Sequence, residues 1–176
     1  MFDYIDFVTK RKSLLIAPAG YGKTHTIAEC LKYTPDGECQ LIITHTHAGV
    51  ASIKEKIKKL NIPNNKYQVE TITSFAQKYV LAFYTYSETP FPVQENSGEY
   101  YNFIIQEASK LFKYNSVRRI ISATYKGLFV DEYQDCTKLQ HEMVLALSDV
   151  LPTHILGDPL QGIMNFNGDL IDMDND

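Results

Sequence analysis

The sequence is short of several things, and each shortage closes a class of function. Its three cysteines, Cys30, Cys39 and Cys136, are odd in number and show no CxxC spacing. That excludes a disulfide framework and predicts free thiols in a reducing, cytoplasmic setting. No apolar run approaches the roughly 18–20 residues of a membrane span, so a membrane is not expected as a partner. The N-terminal "MFDYIDFVTKRK" lacks the charged-then-apolar order of a secretory signal. There is no internal repeat. Positive charge is not in excess either. The net charge is −4, and the segment Asp169–Asp176 holds four of the 21 acidic residues, so residues 1–168 carry 17 charges of each sign. This balance argues against a uniformly basic nucleic-acid binder. Lys10–Lys12 and Lys54–Lys59 still concentrate cations, either as walls of a local groove or as solvated helix faces.

What is present is a core. With 44% hydrophobic residues over 176 positions, the chain can bury the interior of one domain, or of one large unit with a vestigial second. Short apolar runs alternate with longer amphipathic ones. Strands are predicted at Ser13–Ala17, Leu41–Thr44, Tyr67–Ile72, Leu128–Val130 and His154–Leu156. Helices are predicted over Gly22–Tyr33, Gly49–Leu60, Ser74–Tyr84, Glu99–Lys113 and Lys138–Leu147, with a proline-containing loop at Ser87–Gly98. Strand–helix alternation with strands apolar on both faces predicts an α/β fold: a parallel sheet covered by helices on both sides. Ligands of such sheets bind outside the carboxyl ends of the strands.

The segment after the first strand is Ala17-Pro18-Ala19-Gly20-Tyr21-Gly22-Lys23-Thr24. It follows the phosphate-loop pattern G-x-x-x-x-G-K-[ST], with Ala17 in place of the first glycine. Glycines let successive backbone N–H groups turn toward phosphate oxygens, and the helix N-terminus adds its dipole. Lys23 is placed to reach the terminal phosphates of ATP, and the Thr24 hydroxyl to ligate Mg²⁺. A structural turn alone accounts for neither residue. The fourth strand runs into Asp131-Glu132-Tyr133-Gln134-Asp135. Two adjacent acids repel unless a cation sits there, and the pair suits phosphoanhydride hydrolysis. Asp131 would hold the metal, and Glu132 would orient and deprotonate the attacking water.

Asp131–Asp135 resembles the DExQD form of the Walker B motif in superfamily 1 helicases of the UvrD/Rep/PcrA type. "ITHTHAGV" (Ile43–Val50) is similar to that family's TxTNxAA segment, "TITSF" (Thr71–Phe75) to its T-x-H-S-F segment, and "LGDPLQGIMNFNGD" (Leu156–Asp169) to its GDxxQxIYxFRGA segment. The chain thus resembles the N-terminal RecA-like ATP-binding lobe of such a helicase. The resemblance implies a RecA-like P-loop NTPase fold with ATP and Mg²⁺ as ligands. Phosphate contacts would come from Ala17, Ala19, Gly20, Tyr21, Gly22, Lys23 and Thr24, and Mg²⁺ ligation from Thr24 and Asp131. Catalysis would fall to Asp131, Glu132 and the γ-phosphate sensor Gln161. Single-stranded DNA would lie on Thr44, His45, Thr46, Thr73, Ser74 and Phe166. The implied organisation is a lobe over 1–82 and 121–176 with a reduced helical accessory insertion over 83–120. The second RecA-like lobe would be absent from this chain, so full activity would need that lobe or a partner subunit. The function implied is ATP binding and hydrolysis in a DNA helicase or single-strand translocase. The alternative is a nucleotide-dependent nucleic-acid-binding or regulatory module without efficient turnover.

The sequence departs from the family pattern in places. His45 stands for phenylalanine, His47 for asparagine, Thr73 for histidine, Met164 for tyrosine and Asn167 for arginine. Nothing in "MFDYIDF" matches the family's adenine-selecting glutamine segment. Tyr84, Tyr86, Tyr100 and Tyr101 either form a stacking platform or pack a small subdomain. Cys136 is either a thiolate stabilised at a helix start or a small residue at a cap.

Overall fold

The structure, a computed structural model, describes residues 2–18, 20–84 and 97–158. Five strands form one sheet in the order β1-β5-β4-β2-β3, and every pairing is parallel. They are β1 (Lys12–Ile16), β2 (Gln40–Thr44), β3 (Tyr67–Thr71), β4 (Gly127–Val130) and β5 (Thr153–Gly157). Seven helices accompany them among the described residues: α1 (Tyr4–Thr9), α2 (Lys23–Cys30), α3 (His47–Lys59), α4 (Ile72–Phe83), α5 (Ser97–Leu111), α6 (Asn115–Thr124) and α7 (Lys138–Ser148). This is the α/β fold of a RecA-like P-loop NTPase.

Side chains alternate across a strand, and the central strands send them into two separate cores. Ile42, Phe129 and Leu156 join Phe7, Ile27, Leu31, Ile53 and Ile57 beneath α1, α2 and α3. Leu41, Ile43, Leu128 and Val130 join Phe75, Ile104, Phe112, Ile121 and Val144 beneath α4, α5, α6 and α7. β2 and β4 are buried at every position because both of their faces are covered. Helices α5 and α6 belong to the same apolar cluster as α4 and α7, and α5 packs on both of those helices.

One expectation needs correcting. The first strand was expected to be buried, yet Lys12, Leu14 and Ile16 are exposed, with Ser13 and Leu15 intermediate between them. The reason is topological. Among the described residues β1 pairs with β5 alone, at the margin of the sheet, and only its Leu15 side packs on the α1–α3 core. Two helices also went unassigned in the sequence. α1 is a six-residue helix capped by Asp3, whose carboxylate accepts the Asp6 N–H at 2.9 Å. α6 hides its apolar face behind Arg118 and Arg119 in sequence and buries Val117 and Ile121.

Candidate functional site

Three strand ends meet above β1, β4 and β2, and the residues there follow from how each strand is left. The Ala17 N–H donates to the Gly157 carbonyl at 3.1 Å, so the first residue of the loop is still tied to β5. The chain then turns, with the Tyr21 N–H donating to the Pro18 carbonyl at 3.3 Å. Gly20 and Gly22 have φ of +80° and +85°, in the left-handed region where a side chain would be strained. Gly22 precedes α2 and provides no side-chain cap. The first N–H groups of that helix therefore face the loop, the arrangement that binds anions.

Lys23 and Thr24 are the first two residues of α2. Lys23 is only 4% exposed; its ammonium donates to the Ala17 carbonyl at 3.0 Å and lies 3.5 Å from Glu132 Oε2. The Thr24 hydroxyl donates to Asp131 Oδ2 at 3.1 Å. Asp131 follows β4, and its own N–H continues the ladder to the Ile43 carbonyl at 3.0 Å. The carboxylate is buried, and its other oxygen, Oδ1, has no hydrogen-bond partner. Burial first, and the neighbouring Glu132 carboxylate second, push Asp131 up to about 6.

A buried carboxylate oxygen without a partner is costly, and a divalent cation removes the cost by binding it. Thr24 Oγ1 and Asp131 supply hard oxygen donors from two elements, the donor type that Mg²⁺ takes. The residues present therefore fit Mg²⁺. Among the described residues no group of three or more His, Cys, Asp and Glu side chains gathers to form a separate metal site. His45 and His47 form no such group.

Glu132 has a positive φ, at 53°, which among the described non-glycine residues only Asn61 shares. Its left-handed turn ends β4 abruptly and starts a short 3-10 segment, Tyr133–Asp135. Gln134, which the sequence analysis did not single out, returns beneath it. It is 1% exposed, donates from Nε2 to Glu132 Oε2 at 2.8 Å and accepts the Asp158 N–H at 2.9 Å. The sequence signal was the glutamine of the DExQD run itself.

The strand ends of β2 and β3 are more committed than expected. A cleft of about 330 Å³ joins Thr24, Asp131 and Glu132 to Thr44, His45 and Thr46. Thr44 is buried at 3% exposure. The Thr46 hydroxyl caps α3 by accepting the Gly49 N–H at 3.0 Å. The Ser74 hydroxyl accepts from Thr71 Oγ1 at 2.7 Å, while Thr71 caps α4. His45 is half-buried with Nε2 3.6 Å from Cys136 Sγ; burial lowers it, and Asp135 and Glu132 partly offset that. Thr73 is half-buried beside this row. Tyr21 stands 78% exposed at the crest of the loop. Ala19, Gln161 and Phe166 lie outside the described residues, as does Tyr86.

Other candidates resolve toward packing. Tyr100 is buried with its hydroxyl accepting from Gln77 at 2.8 Å, whereas Tyr101 is half-exposed against its edge. Cys136 is buried, and burial pushes its thiol upward, so it is no stabilised thiolate. Lys54, Lys58 and Lys59 are exposed on α3, and Lys59 pairs with Glu55 at 2.7 Å. No helix among the described residues is long and apolar enough to cross a membrane.

No curated protein matches the chain. The family described as an AAA domain matches residues 4–167, which spans the loop, both acids and all five strands. The chain belongs to that AAA domain family, a nucleotide-binding domain of the P-loop NTPase type found in UvrD/Rep-like helicases.

Proposed function

We propose that this lobe binds Mg·ATP and hydrolyses it as the ATP-binding half of a UvrD-like DNA helicase or single-strand translocase. One observation carries the reading: the Thr24 hydroxyl on Asp131, whose second oxygen is buried and unpartnered, beside the Lys23–Glu132 pair. In this role Gly20, Gly22 and the N–H groups opening α2 cradle the phosphates, and Thr24 and Asp131 hold the metal. When bound there, Mg²⁺ would supply positive charge against the negative charge that develops on the phosphates.

The resting geometry suggests how the base is released. Lys23 lies 3.5 Å from Glu132 Oε2 and donates to the Ala17 carbonyl. The terminal phosphates of a nucleotide are a stronger partner for the same ammonium. Drawing Lys23 onto them frees Glu132 to accept a proton from the attacking water. Gln161 would sense the γ-phosphate. The arginine that stabilises the transition state would come from a second RecA-like lobe, in the same polypeptide or a partner. In related phosphoryl-transfer systems that group is worth roughly 10³–10⁵ in rate, so turnover by the lobe alone should be slow.

The use of the Thr46 and Ser74 hydroxyls in local hydrogen bonds favours a second reading for the strand ends. On that reading the lobe is a nucleotide-dependent regulatory or nucleic-acid-binding module with a weak hold on single strands.

The test is binding of a fluorescent ATP analogue with Mg²⁺ to wild type, Lys23→Ala and Glu132→Gln, with and without a single-stranded oligonucleotide. Wild type should bind, Lys23→Ala should not, and Glu132→Gln should bind at least as well as wild type. Equal silence of wild type and Lys23→Ala, both folded, would end the nucleotide reading. ATP turnover that appears on adding a second-lobe partner supports the helicase role over the second reading, which expects binding without efficient turnover.

A further inference from the structure

Gln134 is a buried amide whose two ends touch different parts of the site. Its Nε2 donates to Glu132 Oε2 at 2.8 Å, and its Oε1 accepts the backbone N–H of Asp158 at 2.9 Å. The orientation of the amide is fixed by its neighbours. A backbone N–H demands an acceptor and a carboxylate demands a donor, so only this placement of oxygen and nitrogen satisfies both. Asp158 directly follows β5 and opens the stretch that leads to Gln161.

The oxygen involved matters. Glu132 Oε2 is also the atom 3.5 Å from the Lys23 ammonium. The proposed base thus has two donors on one oxygen, and the stronger hydrogen-bond geometry belongs to Gln134. When a nucleotide takes Lys23 away, the Gln134 bond to Oε2 stays, leaving Oε1 as the oxygen open to water. The left-handed backbone of Glu132, at φ 53°, is a sparsely populated conformation that its surroundings must maintain.

We propose that Gln134 is a positioning residue for hydrolysis. It holds Oε2 of Glu132, directs the other oxygen to the attacking water, and makes that aim depend on where the Asp158 backbone sits. A shift of the chain after β5 would therefore be felt at the base through a single amide, with no contact to nucleotide. This inference rests on the nucleotide reading above and adds to it the group that aims the base.

The experiment uses the full chain with Gln134→Leu and Gln134→Glu, each in wild-type and Glu132→Gln backgrounds. Affinity for the fluorescent Mg·ATP analogue is measured first, and then single-turnover hydrolysis with protein in excess. Affinity should stay within about threefold of wild type, because Gln134 touches no phosphate. Hydrolysis by Gln134→Leu should fall about 10- to 100-fold, the size of effect that misplacing a reacting group produces. In the Glu132→Gln background the same substitution should cause no further fall, since the group it aims is already gone. Gln134→Glu keeps the acceptor for Asp158 but loses the donor, and it should also be slow.

Equal fractional losses in both backgrounds would mean that Gln134 only supports the fold, and would overturn the proposal. So would wild-type hydrolysis by Gln134→Leu or Gln134→Glu. A wild type that binds no nucleotide is a different result: it removes the nucleotide reading itself, and this inference with it.

Discussion

Replacing Asp131 with asparagine should make the nucleotide-free protein more stable while removing its hold on Mg²⁺. Burial and the Glu132 carboxylate raise Asp131 from the ordinary 3.8 to about 6. The folded state therefore holds this proton more tightly than the unfolded chain does. Its contribution is favourable below the unfolded value of 3.8 and is lost as the pH rises through about 6. At pH 7 the charged carboxylate costs about 3 kcal/mol, from a shift of about two units at about 1.4 kcal/mol each. Asparagine avoids that cost but weakens the bond from Thr24 by about 1 kcal/mol. The net gain of about 2 kcal/mol corresponds to roughly 4–8 °C in melting temperature for a domain of this size. The assay is thermal melting with chelator at pH 7 and again near pH 4, then at pH 7 with millimolar Mg²⁺ and ATP. The variant should melt higher at pH 7, lose most of its advantage near pH 4, and gain nothing from Mg·ATP. A variant that melts at or below wild type at pH 7 would refute the reasoning, as would an advantage unchanged near pH 4.

His154 is buried between the Phe7 and Phe129 rings with Nδ1 2.7 Å from Ser13 Oγ, and burial lowers it to about 4. Its contribution is full above the unfolded 6.5 and is lost as the pH falls toward 4, a change of about 3 kcal/mol. Asp131 runs the opposite way over nearly the same window, so the Asp131→Asn variant should show a steeper acid loss than wild type when denaturant midpoints are followed against pH. Phe75→Ala empties a fully buried position that meets Tyr79 at 5.0 Å, Phe112 at 5.7 Å and Tyr125 at 6.0 Å. It should cost about 3–5 kcal/mol by urea titration. Gly22→Ala finds room, since the nearest atom to an added Cβ is His25 Cβ at 3.9 Å, yet φ of +85° strains it. It should cost about 1–2 kcal/mol of stability and weaken ATP-analogue binding; unchanged binding would count against the loop as the phosphate site.

The strands were legible wherever burial was two-sided. Leu41–Thr44 and Leu128–Val130 show as short apolar runs because helices cover both faces, and the polar residues after them mark the strand ends. β1 misled because Leu14 and Ile16 have the same composition as a buried run, while position in the sheet is a property of strand order that one strand's sequence does not carry. α6 was missed because Arg118 and Arg119 interrupt the apolar spacing, and only the burial of Val117 and Ile121 in the shared apolar cluster shows which side is inward. At the site, Lys23, Thr24, Asp131 and Glu132 were legible from motif spacing, and the structure brings the four together. The bond of Gln134 to Glu132 was not, because it depends on a left-handed glutamate that sequence does not announce. Nor was the capping duty of Thr46 and Thr71, whose hydroxyls suit a helix start as well as a phosphate.

The marginal position of β1 has a consequence for affinity. Among the described residues the strand that carries the phosphate loop is secured by one ladder, to β5, and leaves Leu14 and Ile16 54% and 56% exposed. Fraying of such an edge needs less free energy than global unfolding. A frayed β1 takes Ala17 away from Gly157 and scatters the N–H groups of the loop, so only the unfrayed fraction can bind a nucleotide. Observed affinity is then the intrinsic affinity reduced by that fraction. Whatever pairs with the outer edge of β1 would tighten nucleotide binding without touching the nucleotide. By reciprocity, nucleotide would strengthen that pairing by the same factor.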